Sequence, residues 1–282
     1  MTHLVIAGVT GVAGLATYRA ALADPAVSRI TLLTRRVLPD WIAASASASS
    51  SSSSSPSSPS SPPPASPSAP PALPETEVVI HPDFGTWPPA LAARLAAADA
   101  LVWAVGVPVW SAPRAAYEAL MVACPLAAAR AIRDARGEGE GEGEGERRRR
   151  LFRFVYLSGL NADPTGRSMQ YSAQVKGRVE RELAEICGST AGAAGMRAAA
   201  VRPGYFFPPK EHAEARARQR GVLARALDTV QTPLLSAVAP GIYTPLEVLA
   251  RFVVELGKGR WPERTVFPNV EMRALMEDGA AA

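Results

Sequence analysis

Three glycines set the first piece of chemistry in the chain. Gly8, Gly11 and Gly14 recur at three-residue spacing, with Thr10 and Val12 on either side of the middle one. The first permits a tight turn, the second lets backbone approach a diphosphate with no Cβ in the way, and the third lets a helix sit close to a strand. A dinucleotide diphosphate would then lie on the unpaired N–H groups and positive dipole end of the following helix. A second group, Thr34, Arg35 and Arg36, contains no acid. A carboxylate in that place accepts hydrogen bonds from a ribose 2′-hydroxyl, whereas a guanidinium pairs bidentately with a 2′-phosphate. NADP(H) is therefore expected over NAD(H). A solvated basic loop is the competing reading of the same two arginines.

The elements that must position these groups follow from hydrophobic patterning. His3-Leu4-Val5-Ile6-Ala7 has the length and β-branched content of a buried strand, and Leu15 to Leu22 continues as helix with no proline before Pro25. Further strands are expected at Arg29 to Thr34, Glu77 to His81, Ala100 to Gly106, Leu151 to Leu157 and Met196 to Val201. Between them lie helices at Trp87 to Ala98, at Pro113 to Arg136 with a kink or break near Ala123 ahead of Pro125, and from about Tyr171 to Ile186. Thr244-Pro245-Leu246-Glu247 reads as an N-cap, a proline at the first helical position and a capping-box glutamate, opening a helix to about Leu256. Five or six strands alternating with helices imply an α/β, doubly wound parallel sheet of Rossmann type. Its ligand would sit outside the carboxyl ends of the strands. Asp83 would lie near the adenine, and Gly106 falls where the chain passes under the nicotinamide-side ribose. His81, a lone histidine at a strand end, reads as structural, and Lys210 to Arg220 as a solvated charged helix or loop.

The 282 residues are read as one domain carrying two low-complexity insertions. Residues 45–71 are nearly all Ser, Ala and Pro; residues 137–150 alternate Gly with Glu and end in four arginines. Neither can bury enough apolar surface to offset its ordering entropy, so both are expected to be disordered. The net charge of +4 is small and interspersed, which gives no reason to expect a nucleic-acid partner. Cys124 and Cys187 stand far apart, which favours a reducing compartment. No apolar run approaches the length of a membrane span, and a strand starting at His3 leaves no room for a cleaved leader. A cytoplasmic location is expected.

Gly8-x-x-Gly11-x-x-Gly14, Ser158 after the fifth strand, Tyr171 with Lys176, and Arg202-Pro203-Gly204 together resemble an atypical short-chain dehydrogenase/reductase. Gln174-Val175-Lys176-Gly177-x-Val179-Glu180 with Arg202-Pro203-Gly204 is similar to the Tat-interacting-protein-like branch and to related mitochondrial outer-membrane Rossmann proteins. The latter likeness makes a peripheral position on that membrane the alternative location. The resemblance implies that Tyr171 exchanges a proton with a carbonyl or alcohol oxygen as hydride moves to or from nicotinamide. It also implies that Lys176 lowers the phenol pKa and holds the ribose, that Ser158 hydrogen-bonds the reacting oxygen, and that Pro203 lies against the coenzyme.

Tyr171 and Lys176 are five residues apart, about 140° around a regular helix, where the family spacing of four gives about 40°. Ser172 stands four before Lys176 instead. Three outcomes are open: a π-bulge that returns both side chains to one face, a helix that begins after Tyr171, or loss of the dehydrogenase chemistry. The first two fit an NADP(H)-dependent oxidoreductase acting on a small molecule. The third fits a catalytically silent dinucleotide-binding regulator that reports redox state to a protein partner.

Overall fold

In a computed structural model the chain forms a seven-stranded, all-parallel sheet in the order β3-β2-β1-β4-β5-β6-β7. The structure describes residues 1–40, 42, 73–138, 151–188, 195–207 and 240–280. Insertion 45–71, residues 139–150 of the second insertion, and the charged stretch 210–220 lie outside the described residues. The strands are β1 (Thr2–Ala7), β2 (Val27–Thr34), β3 (Glu75–Ile80), β4 (Ala100–Trp103), β5 (Phe152–Leu157), β6 (Met196–Arg202) and β7 (Val266–Pro268). The doubly wound α/β architecture read from the alternating pattern is present, with one strand more than expected. β7 has only three residues and ends in a proline, too short to carry a period.

Alternate residues of β1 enter opposite layers, Leu4 and Ile6 one way and Val5 and Ala7 the other. All four are wholly buried, as a parallel sheet covered on both faces requires. One face carries α1 (Val12–Ala23), α6 (Leu246–Gly257) and α7 (Asn269–Ala280), where Leu15, Tyr18 and Leu22 meet Leu249, Phe252 and Val253. The other carries α2 (Pro89–Ala96), α3 (Arg114–Glu118), α4 (Cys124–Glu138) and α5 (Tyr171–Cys187). Strand order reverses between β1 and β4, which opens the crevice at their carboxyl ends.

A wide π turn, Ala119–Ala123, joins α3 to α4. Pro125 lacks the N–H of an ordinary turn, and its ring would press on the Met121 carbonyl. The sequence placed an irregularity here; it takes the form of one wide turn, and the helix runs on through it. Helix continues to Glu138, so the first two residues of the expected Gly/Glu insertion are helical. Arg114–Gly137 is long and apolar enough, by length and composition, to cross a membrane. The core helix of a soluble protein meets the same description, so this helix is no clear membrane span. Tyr117, Met121, Val122, Leu126 and Ile132 of this helix are packed against the sheet.

Thr244 departs from the expected N-cap. Pro245 holds the N-cap position of α6 without a side-chain cap bond. The Thr244 hydroxyl instead accepts the Gly204 N–H at 2.7 Å and donates to Asn269 Oδ1 at 2.6 Å. A buried amide and a buried side chain at either end of the hydroxyl outweigh local capping.

At the sheet edge, Glu77 of β3 accepts hydrogen bonds from Thr31 (2.6 Å), Arg29 (3.0 Å) and Arg94 (2.6 Å), tying β3 to β2 and α2. Burial alone would raise its pKa; the Thr31, Arg94 and Arg29 bonds prevail and bring it from 4.5 to about 2. A depressed carboxyl stabilises the fold fully above its unfolded value and loses that contribution as pH falls toward the folded one. Both arginines are partly exposed, so solvent screening reduces the gain to about 2 kcal/mol. The stability difference between the native chain and Glu77→Gln is expected to be constant near neutral pH and to shrink between pH 4.5 and 2. Urea unfolding across that range measures it.

Candidate active site

The glycine turn lies at the switch point. Gly8 has φ +91°, and a Cβ there would stand 2.7 Å from the Ala104 carbonyl carbon, at the end of β4. Its own carbonyl accepts the Gly11 N–H at 2.9 Å, and a Cβ on Gly14 would come within 2.2 Å of that same oxygen. Turn and close helix packing are thus the steric roles of Gly8 and Gly14. Around Gly11 only the Gly8 carbonyl approaches, at 3.3 Å, and as N-cap of α1 Gly11 brings no capping side chain. Thr10 is exposed beside it, and Val12 opens the helix half-buried. Gly106 is exposed, and a Cβ there would meet only Met121 Cε at 3.8 Å. The start of α1 therefore carries neither a capping side chain nor a Cβ at its N-cap, the arrangement that a diphosphate fits.

Thr34 closes β2, its hydroxyl donating to the Arg36 carbonyl at 2.8 Å. Arg35 and Arg36 are exposed, and neither guanidinium forms an ion pair among the described residues. Asp83 is engaged in its own turn: its carboxylate accepts the Gly85 N–H (2.8 Å) and the Thr86 hydroxyl (2.9 Å), which lower its pKa. It shapes the loop after β3. His81 is buried and meets the Thr86 carbonyl through Nε2 at 2.7 Å, so its ring is committed to the same loop.

The expected catalytic residues divide into two groups. Ser158 is 4% exposed at the end of β5, and its buried Oγ has no hydrogen-bond partner among the described residues. Lys176 reaches the same place from α5, donating from Nζ to the Ser158 carbonyl at 2.9 Å. A Cβ on Gly159 would stand 2.8 Å from that Nζ, so glycine next to Ser158 makes room for the lysine. Burial pushes the ammonium pKa down, and Glu180 pushes it back up. Pro203, buried after β6, accepts the Leu160 N–H at 2.9 Å and joins the two strand ends.

Tyr171 belongs to the other group. It is the first residue of a regular α5, and its hydroxyl donates to Glu118 Oε1 at the end of α3. The Arg114 guanidinium lies 4.4 Å over the phenol ring and donates to the same carboxylate. Burial and the Glu118 bond push the phenol pKa up, against the pull of Arg114. A phenol meant to exchange protons at neutral pH needs the opposite shift. The five-residue spacing thus has its direct geometric result: Tyr171 and Lys176 engage different partners. Among the described residues, the chain's π turn is in the α3–α4 helix and not in α5. Glu118 and Arg114 are site-rim residues that the sequence reading did not single out, because 53 positions separate Glu118 from Tyr171 and no motif joins them.

The rest of the loop before α5 is strapped to that helix. Asp163 accepts the Thr165 hydroxyl (2.6 Å), the Thr165 N–H (2.9 Å) and the Ser168 N–H (2.6 Å), which hold its pKa at about 2. Its own N–H reaches the Ala173 carbonyl at 3.0 Å. Of the three aromatics after Gly204, Phe206 packs on the core, Phe207 stacks 6.4 Å from Tyr243, and Tyr205 is exposed.

The chain matches no family model and no curated protein sequence. Solved structures do match it over nearly their whole length. A proposed 2-deoxy-d-gluconate 3-dehydrogenase from Agrobacterium tumefaciens, with bound NADP, superposes with TM-score 0.59 at 15% identity, covering 98% of this chain and 96% of that one. L-sorbose reductase from Gluconobacter frateurii, complexed with NADPH and L-sorbose, gives 0.58 at 17% identity and 94% of each chain. An oxidoreductase of the short-chain dehydrogenase/reductase family from Burkholderia thailandensis gives 0.57 at 15% identity, covering 99% and 97%. The chain shares the Rossmann-type α/β fold of these proteins. In that fold the glycine turn, Arg35 and Arg36, and the Ser158–Lys176 contact all lie at the carboxyl ends of the strands.

Proposed function

We propose that the protein is an NADP(H)-dependent oxidoreductase acting on a small carbonyl or alcohol. The observation that carries this reading is the coincidence of an uncapped glycine turn with two guanidinium groups, Arg35 and Arg36, that are unpaired among the described residues at the end of the neighbouring strand. The coenzyme, when bound, supplies or accepts hydride. The backbone from Gly8 through Thr10, Gly11, Val12 and Gly14 holds its diphosphate, Arg35 and Arg36 its 2′-phosphate, and the Asp83 turn borders the adenine. Gly106, Lys176 and Pro203 border the nicotinamide side. Ser158 Oγ, buried without a partner among the described residues, orients the reacting oxygen, since a buried hydroxyl left alone costs about 1–3 kcal/mol. Tyr171 leaves Glu118 to exchange the proton. The NADP- and NADPH-bound neighbours support the coenzyme assignment. The narrower likeness to the Tat-interacting-protein branch rests on the Lys176-Gly177 and Arg202-Pro203-Gly204 motifs alone.

One observation favours a second reading, a dinucleotide-binding regulator without turnover: the Tyr171 hydroxyl is held by Glu118 and its pKa is raised. Titration with NADPH followed by a panel of aldehydes, ketones and quinones separates the two. Turnover that falls by about 100-fold or more in Tyr171→Phe is the expected result for proton exchange by the phenol. Stoichiometric binding with no turnover across the panel selects the regulator, and no binding at all overturns both.

A further inference from the structure

Two side chains outside the expected set bracket Lys176. Glu180 lies one turn further along α5 with its side chain 4% exposed, and Arg202 is the last residue of β6. Arg202 donates from Nε to both carboxylate oxygens of Glu180 (3.0 and 3.2 Å) and from Nη2 to Oε2 at 2.5 Å. Nothing in the proposed chemistry uses this pair, yet burying the Glu180 carboxylate against a half-buried guanidinium is seldom favoured over apolar residues of the same volume on stability grounds. Its place explains it. Residues i and i+4 share a helix face, so the turn that Glu180 fixes is the turn that carries Lys176. Arg202 in turn leads directly into Pro203, whose carbonyl holds the Leu160 N–H beyond Ser158. The clamp thus joins α5 to the strand ends between which Nζ is seated. Among the described residues the ammonium donates one hydrogen bond there, to the Ser158 carbonyl. Glu180 is also the charge that acts on Lys176, with Arg202 and, beyond it, Asp163 completing the alternation.

We propose that Glu180 and Arg202 are positioning residues for Lys176, fixing its ammonium at the strand ends and thereby setting the affinity for NADP(H). The inference rests on the coenzyme reading above. A double-mutant cycle tests it, with NADPH dissociation constants measured by fluorescence for the native chain, Glu180→Gln, Lys176→Met and the two combined. Glu180→Gln is expected to weaken NADPH about tenfold in the native background and to change nothing once Lys176 is replaced, because its effect passes through that side chain. A Glu180→Gln loss of the same size in both backgrounds, or no loss in either, overturns the clamp while leaving the coenzyme reading intact. Failure of the native chain to bind NADPH overturns the coenzyme reading itself, and the clamp with it. Glu180→Leu combined with Arg202→Met removes both charges and leaves neither buried alone, so its melting temperature is expected to stay near the native value. NADPH should still bind about tenfold more weakly to it. Native affinity in that variant assigns the pair a purely structural part and overturns the proposal.

Discussion

Replacing Gly177 by alanine is expected to destabilise the chain by about 3 kcal/mol and to cut NADPH affinity with it. The sign is what makes the result informative. Gly177 is an interior residue of α5, and helix propensity alone would have alanine stabilise that position by about 1 kcal/mol. Steric fit runs the other way. A Cβ at 177 would lie 2.0 Å from the carbonyl carbon and oxygen of Asp163 and 2.4 Å from the nitrogen of Pro164, all backbone atoms. That backbone is poorly able to yield, since the Asp163 carboxylate and N–H are both bonded, Gln174 Nε2 reaches the Ser168 carbonyl at 2.7 Å, and Arg181 Nη1 reaches the Pro164 carbonyl at 2.8 Å. Relief must come from displacing α5, which carries Lys176 away from Ser158. Urea unfolding and NADPH titration of Gly177→Ala measure the two effects; a gain in stability would show that helix and loop are not in the close contact described.

The second large effect concerns coenzyme choice. NADPH is expected to bind about 100-fold more tightly than NADH, the value of two charge-assisted hydrogen-bonding groups meeting a phosphate. Arg35→Ala combined with Arg36→Ala should bring NADPH affinity down to the NADH level and leave NADH unchanged. Neither arginine has an ion-pair partner among the described residues, so their removal strands no buried charge and the fold should be indifferent to it. The preference should also narrow as salt is raised, because the contact is exposed. Equal affinities in the native chain, measured by fluorescence titration with both reduced nucleotides, would refute the assignment.

What could be read from the sequence was what local chemistry decides. The β1 strand, the glycine turn and α1 are specified within about twenty consecutive residues, and the order of buried runs is enough to specify a parallel sheet. Features that depend on distant partners were hidden. Thr244 has every local mark of an N-cap, but Asn269 and the Gly204 amide take its hydroxyl. Glu180 and Arg202 both stand in motifs visible in the chain, and nothing in their spacing indicates that 22 residues fold to make them an ion pair. For Tyr171 the spacing to Lys176 announced a mismatch correctly, while the direction of the phenol is set by Glu118 on another helix.

The wide turn at Ala119–Ala123 has a bearing on that direction. Each residue of an α-helix advances the side-chain azimuth by about 100°, and a π turn absorbs one extra residue while leaving the later turns in phase with their packing. Downstream of it, Leu126 and Ile132 are locked in the interior, so any shortening of the turn would be felt upstream, as a rotation of Glu118. The orientation of the phenol is therefore hostage to helical phase at a proline some fifty positions earlier in the chain.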